Sequence, residues 1–266
     1  MKSATSPVPA LPMTGRQVAA GGYTAVMTAM ADSLDGLSPA DWDAGTDCTG
    51  WTVRHLAAHL LGAQEDAKSV PVVLGRRRRG KRRYPAMTVL DAANQVQVED
   101  HAALSTAELC RRYRANIPAV AQAVRRFPAA LAWVPVDKTM APGASPLRLG
   151  YLFNVIYLRD AWMHGIDLAR ATGLPRPVSA AETLVVGQVM RDAGIQWGAE
   201  PGVEVELTGV ISGLWQLGAT PVRARLRADG VELCRSLSGR TPDTQPVAVS
   251  GDLDMARKLA DLRVLF

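Results

Sequence analysis

Along the first two-thirds of the chain, apolar residues recur every three or four positions, the spacing of a single buried helix face. The spacing predicts a helix over about 15–35 (GRQVAAGGYTAVMTAMADSLD), a second over about 52–69 beginning at Thr52, a third helical region over about 88–127, and a fourth over about 147–172. The third is expected to break near 104–106, where Ser105 can cap the helix that follows. The fourth should stop at Gly173, a residue type that ends helices readily. Beyond GLPRPVSA (173–180) the period changes. A helix over about 179–198 gives way to VEVELTG (203–209) and TPVRARLRA (220–228), whose alternation marks strands. A short helix in GVELCRSLSG, a strand around PVAVSG and a last helix in DMARKLADLRVLF complete the chain. The expected class is α+β, a four-helix bundle followed by a small α+β domain. Placing the boundary in the proline-containing linker gives domains of residues 1–175 and 176–266.

One helix breaks its own pattern. Leu149, Leu152, Phe153 and Ile156 mark the buried stripe of the fourth helix, and the same steps continue onto Asp160, Met163, His164 and Asp167. Burying a carboxylate beside an imidazole is costly unless each is paired or bound to a metal. Asp160 and His164, four residues apart, stack on one face, as a buried hydrogen-bonded pair or as two ligands of one ion. TGWTVRHLAAHL (49–60) offers a third donor. His55 and His59 lie on adjacent turns of one face, with Trp51 as a packing residue just before them. His59 is either a ligand or a core histidine bonded to a carbonyl; His55 reads as an exposed first-turn residue and His101, in QVEDHAAL, as surface. Two histidines and one carboxylate with open positions suit catalytic zinc or non-haem iron, and bundle cores build such sites from facing helices.

A chain of 266 residues, 48% hydrophobic and 21% charged, has the composition of an ordinary globular protein, and no apolar run approaches the ~18 residues of a membrane span. MKSATSPVPALPMTG has no unbroken apolar stretch, so it reads as a loose tail and not a signal peptide. Three dispersed cysteines, Cys48, Cys110 and Cys234, make no disulfide framework, which fits a reducing cytoplasm; Cys48 reads as a small packing residue. The net charge of +5 is local, because RRRRGKRR (Arg76, Arg77, Arg78, Arg79, Lys81, Arg82, Arg83) outweighs it. That run reads as a solvated connection between helices. It lacks interleaved aromatic residues apart from Tyr84, which argues against a nucleic-acid surface. Arg223, Arg225 and Arg227 share a strand face and read as solvated.

WDAGTDCTGWTVRHLAAHL resembles the N-terminal signature of the DinB-like, mycothiol-dependent maleylpyruvate isomerase family. LRDAWMHGIDLARATG resembles that family's second motif, and ELCRSLSGR (232–240) its C-terminal domain signature. The three follow the family's order over nearly the whole chain. The resemblance implies a DinB-like four-helix bundle in which His59 matches the first-motif histidine, and Asp160 and His164 the second-motif pair, as ligands of a divalent metal expected to be zinc. It further implies mycothiol as the thiol, and isomerase or S-transferase chemistry on a small electrophile that can carry a carboxylate. A repurposed, non-catalytic metal-binding accessory protein is the alternative. Many relatives have an acid where this chain has His55, completing a capping box, so its loss is expected to weaken that helix start. Many also have Pro in place of Thr49, and some have glutamate where Asp160 stands. Arg240, closing SLSGR, is either a bidentate holder of a substrate carboxylate or a helix-terminal residue bonding carbonyls.

Overall fold

The computed structural model describes residues 6–7, 11–137 and 147–266. It divides into two compact units, one of Gly15–Ala132 with Leu152–Ala181, the other of Met1–Thr14, Trp133–Tyr151 and Glu182–Phe266. The helical unit thus ends at Ala181. The earlier segments that join the second unit carry no period that would have set them apart.

The first unit is helical: α1 (Arg16–Asp35), α2 (Val53–Lys68), α3 (Val70–Arg83), α4 (Val89–Asp100) and α5 (Thr106–Arg125). A π-helical turn (Leu152–Ile156) then runs into α7 (Tyr157–Thr172), while the single turn before it, α6 (Leu149–Tyr151), belongs to the second unit. Helices α1, α2, α5 and α7 pack on one another as the four-helix core, with α4 against α2 and α3 against α4. Leu34, Leu56, Leu60, Leu109, Val120 and Ile166 are among its buried side chains. The helix ends follow the local chemistry. The Ser105 hydroxyl accepts from the Glu108 backbone N–H at 3.2 Å, which starts α5, and Gly173 adopts φ 72° and donates to Ala169 O to stop α7. The π turn gives Tyr23 a partner: its hydroxyl donates to Phe153 O at 2.9 Å.

The arginine run is not a solvated connection. It is the C-terminal half of α3, a helix that begins after Ser69 with Pro71 in its first turn. Arg76 is 4% exposed. It donates to Asp66 and Gly62 O, to Asp100, and to Glu65, while Arg79 pairs with Asp100 and Arg83 with Glu99. Acids from α2 and α4 flank the basic helix and remove the repulsion that would otherwise unwind it. His101 is likewise buried: Nδ1 donates to Gln97 O at 2.7 Å, and Nε2 lies 3.2 Å from Glu65. Burial pushes the Glu65 carboxyl up, but His101 and Arg76 outweigh it and bring it to about 2.

The second unit holds a five-stranded sheet in the order β1-β5-β4-β6-β7, built from β1 (Ser6–Pro7), β4 (Pro201–Thr208), β5 (Gly213–Leu217), β6 (Ala219–Asp229) and β7 (Val247–Gly251). Strands β4 and β6 run parallel, while β5 and β7 are antiparallel to their inner neighbours. Short strands β2 (Pro135–Asp137) and β3 (Leu147–Arg148) pair separately, and α8 (Glu182–Trp197), α9 (Gly230–Leu237) and α10 (Asp254–Asp261) complete the unit. Strand β5 was not expected; GLWQL is too short and too mixed to show alternation. The expected loose tail also needs correction where it is described. Ser6–Pro7 pair with β5, and Thr14 N donates to Gln188 Oε1 at 3.2 Å, whereas residues 1–5 and 8–10 lie outside the described residues. Arg223, Arg225 and Arg227 are exposed, with Arg225 on Glu204 and Arg227 on Glu206 of the parallel neighbour. Cys48, Cys110 and Cys234 form no disulfide among the described residues, and no helix among them is long and apolar enough to cross a membrane.

Candidate metal centre

Helices α2 and α7 bring His59, Asp160 and His164 together inside the helical unit. His59 Nε2 lies 3.2 Å from Asp160 Oδ2, and His164 Nε2 lies 3.2 Å from Asp160 Oδ1. The rings stand edge to face with centroids 5.0 Å apart. Both histidines are buried, while 15% of the Asp160 side chain stays open. One ligand atom from each of the three residues lies within 4.8 Å of the others.

The far side of each ring decides what the near side can do. His59 Nδ1 meets Gln97 Oε1 at 2.7 Å, and His164 Nδ1 meets Asp167 Oδ2 at 2.8 Å. Both outer atoms are acceptors, so each ring carries its proton on Nδ1 and turns the Nε2 lone pair inward. Two lone pairs then face an anionic carboxylate. Only a cation reconciles them, either a shared proton or a metal ion, and outer acceptors of this kind are the usual support of metal-bound histidines. Burial pushes the Asp160 carboxyl up, but His164 and His59 outweigh it and hold the acid well below the usual carboxylate range. Burial also pulls His164 down, yet the Asp160 charge, with hydrogen bonds to Asp160 and Asp167 and the Cys48 contact, holds it well above its ordinary value. With a divalent ion taking the place of the proton that Asp160 otherwise stabilises on His164, the donor set fits: two imidazole Nε2 atoms, one carboxylate and a partly open face.

The family model for the mycothiol maleylpyruvate isomerase N-terminal domain matches residues 23–169, more than half of the chain. The chain belongs to this family. Two uncharacterized proteins of Mycobacterium tuberculosis, Rv0036c of strain ATCC 25618 / H37Rv and MT0041 of strain CDC 1551 / Oshkosh, are each 28% identical over 227 residues, spanning 80% of this chain and 83% of theirs. Two crystal structures share the fold. The mycothiol-dependent maleylpyruvate isomerase superposes with a TM-score of 0.56, and a histidine-to-alanine mutant of a mycothiol-dependent maleylpyruvate isomerase with 0.55. Both are 15% identical and cover 94% of this chain and 98% of their own.

Within this family framework, several residues stand differently from expectation. Cys48 is not simply packing: its Sγ donates toward Asp167 Oδ2 at 3.6 Å and lies 3.9 Å from His164 Nδ1. A tight turn puts it there. Thr46 and Trp51 bond across the loop, Gly50 takes φ 78°, and Gly45 bridges to Thr52. The same turn sets the Trp51 ring 5.1 Å from His59 and 6.4 Å from His164. Cys48, His164 and Asp167 are themselves a possible ligand group. Their shortest contact is the His164–Asp167 hydrogen bond, so they form the outer layer of the first group. His55 is not an exposed first-turn residue that leaves the helix start weak. Its Nδ1 accepts from the Thr52 backbone N–H at 3.1 Å, filling the capping-box place of the relatives' acid. Gln97 and Asp167 carried no sequence signal beyond Asp167's place on the polar-bearing stripe. Arg240 lies in the other unit, just after α9. Gly239 at φ 87° turns the chain, the Arg240 backbone N–H donates to Arg235 O, and its side chain donates to Ser238 Oγ at 3.0 Å.

Proposed function

We propose that the protein is a divalent-metal-dependent enzyme that activates a low-molecular-weight thiol, mycothiol, for cis–trans isomerisation or S-transfer on a small electrophilic substrate. The observation that carries this reading is the inward turn of the His59 and His164 Nε2 atoms onto Asp160, enforced from outside by Gln97 and Asp167. His59, Asp160 and His164 would hold the ion, expected to be zinc. When bound, such an ion lowers the pKa of a thiol and stabilises it as the nucleophilic thiolate near neutral pH.

The chain's own groups do the rest. Asp160 supplies one negative charge against two neutral imidazoles, so the centre keeps positive charge for an incoming thiolate. Asp167 and Gln97 keep the rings from turning, and Trp51 walls one side of His59. For isomerisation, the thiolate lone pair adds to one carbon of an activated double bond, the remaining single bond rotates, and expulsion of the same thiolate restores the double bond with no net change of atoms. For transfer, the thiolate displaces a leaving group and stays as the S-conjugate. Cysteines Cys48, Cys110 and Cys234, unbridged by disulfides, accord with a reducing compartment such as the cytoplasm, where a thiol cosubstrate persists. Arg240 remains the residue we assign to a substrate carboxylate, on the strength of the C-terminal motif.

Elemental mass spectrometry of the purified protein beside His59→Ala and His164→Ala tests the reading, followed by mycothiol-dependent isomerisation of maleylpyruvate. About one divalent ion per chain, lost in both variants, is the expected result. Wild type that stays empty after incubation with zinc, manganese or nickel overturns it.

A further inference from the structure

The ligand His59 is joined to the arginine run by a buried chain of hydrogen bonds, and that chain has a direction. Arg76 donates from Nη1 to Asp66 Oδ1 at 2.7 Å. Asp66, 3% exposed, accepts Gln97 Nε2 on its other oxygen, also at 2.7 Å. Gln97, 2% exposed, presents Oε1 to His59 Nδ1 at 2.7 Å. A carboxylate paired with a guanidinium only accepts. The amide nitrogen of Gln97 must therefore face Asp66, its oxygen must face His59, and the imidazole must carry its proton on Nδ1. The lone pair is left on Nε2, the atom aimed at Asp160. Space has been cleared for this contact: a Cβ added at Gly62 would lie 2.5 Å from Gln97 Cβ.

We propose that Arg76, Asp66 and Gln97 are positioning residues, a relay of hydrogen-bond polarity that fixes His59 in its Nε2-ligating tautomer and thereby sets the cation affinity of the centre. The proposal rests on the metal-centre reading above and gives Arg76 a task beyond pairing with its acidic neighbours. Asp66 is an acceptor because Arg76 sits on it. Without that partner the carboxyl can take a proton and donate to Gln97, whose amide then turns over and offers an N–H to His59. The ring answers by moving its own proton to Nε2, which closes the ligand atom. His164 needs no such relay, because Asp167 contacts it directly.

The test uses the full chain, first stripped of metal and then titrated with cobalt. Long-range proton–nitrogen NMR at mildly alkaline pH reads the His59 tautomer, with His59→Ala assigning the signals. Cobalt absorption reads affinity. Wild type is compared with Gln97→Leu and Asp66→Asn, and Arg76→Lys joins the series if it folds. Wild-type His59 should be the Nδ1–H tautomer. Gln97→Leu should shift it toward Nε2–H and weaken cobalt binding about 10–100-fold, with Asp66→Asn in between. A wild-type Nε2–H tautomer, or a Gln97→Leu protein with wild-type tautomer and affinity, overturns the relay. Wild type that takes up no cobalt removes the metal reading and the affinity half of the proposal, while the tautomer still decides the relay by itself.

Discussion

Gly62→Ala sets two known effects against each other. Alanine in a helix interior is favoured over glycine by about 0.5–1 kcal/mol, so a helix-only argument predicts stabilisation of α2. The added Cβ, however, would stand 2.5 Å from Gln97 Cβ, 2.7 Å from its Cγ and 3.2 Å from its Cα. Ordinary carbon contacts lie at about 3.5–4.0 Å, so α4 must recede by roughly 1 Å. A new Gln97 rotamer moves Cγ but not Cβ or Cα, so the side chain alone cannot relieve the clash. Overpacking of this kind costs about 1–3 kcal/mol, which exceeds the propensity gain and leaves a net loss of roughly 1–2 kcal/mol. Gly75→Ala is the matched control. It is an exposed glycine of α3 with nothing within 4 Å of the added carbon, and it should gain about 0.5–1 kcal/mol. Urea unfolding of the two variants beside wild type should therefore shift the midpoints in opposite directions. Gly62→Ala should also bind cobalt more weakly, because Gln97 is pushed off His59. Midpoints that rise together would refute the close approach of α2 and α4.

In protein stripped of metal, His164 is raised, so its stabilisation is full below about pH 6.5 and is lost as pH rises through its folded value. Asp160 is lowered, so its share is present above about pH 4 and is lost as pH falls through its folded value. The stripped protein should therefore lose stability on the alkaline side, while zinc or cobalt should stabilise it increasingly there, since ligation needs neutral imidazoles. Urea midpoints across pH with chelator and with metal check this, and parallel curves would count against it. His55→Ala should cost about 0.5–1 kcal/mol by removing the acceptor for Thr52 N, and His55→Glu should recover it, as read by thermal melts. Arg240→Ala should raise KM for a carboxylate-bearing substrate and leave metal content unchanged. An unaltered KM would confine Arg240 to the end of α9.

The sequence by itself determined the elements whose causes are local. The 3.6-residue period set out α1, α2, α5 and α7, the Ser105 hydroxyl started α5, Gly173 stopped α7, and alternation marked β4 and β6. His59, Asp160 and His164 were legible for the same reason: each sits where an apolar stripe should have placed an aliphatic side chain. Tertiary structure decided the partners. Seven basic residues in eight positions carry no internal sign of being a helix, because the acids that neutralise them, Glu65, Asp66, Glu99 and Asp100, come from α2 and α4. His101 looked solvated among polar neighbours until Glu65 and the Gln97 carbonyl closed over it. Gln97 carries no mark in the sequence and Cys48 reads as a packing residue, yet packing sets the first against His59 and a turn sets the second beside Asp167. Periodicity and capping report interactions within about four residues along the chain. A buried charge or amide is stabilised only by groups that folding brings from elsewhere, so its role is written in the packing.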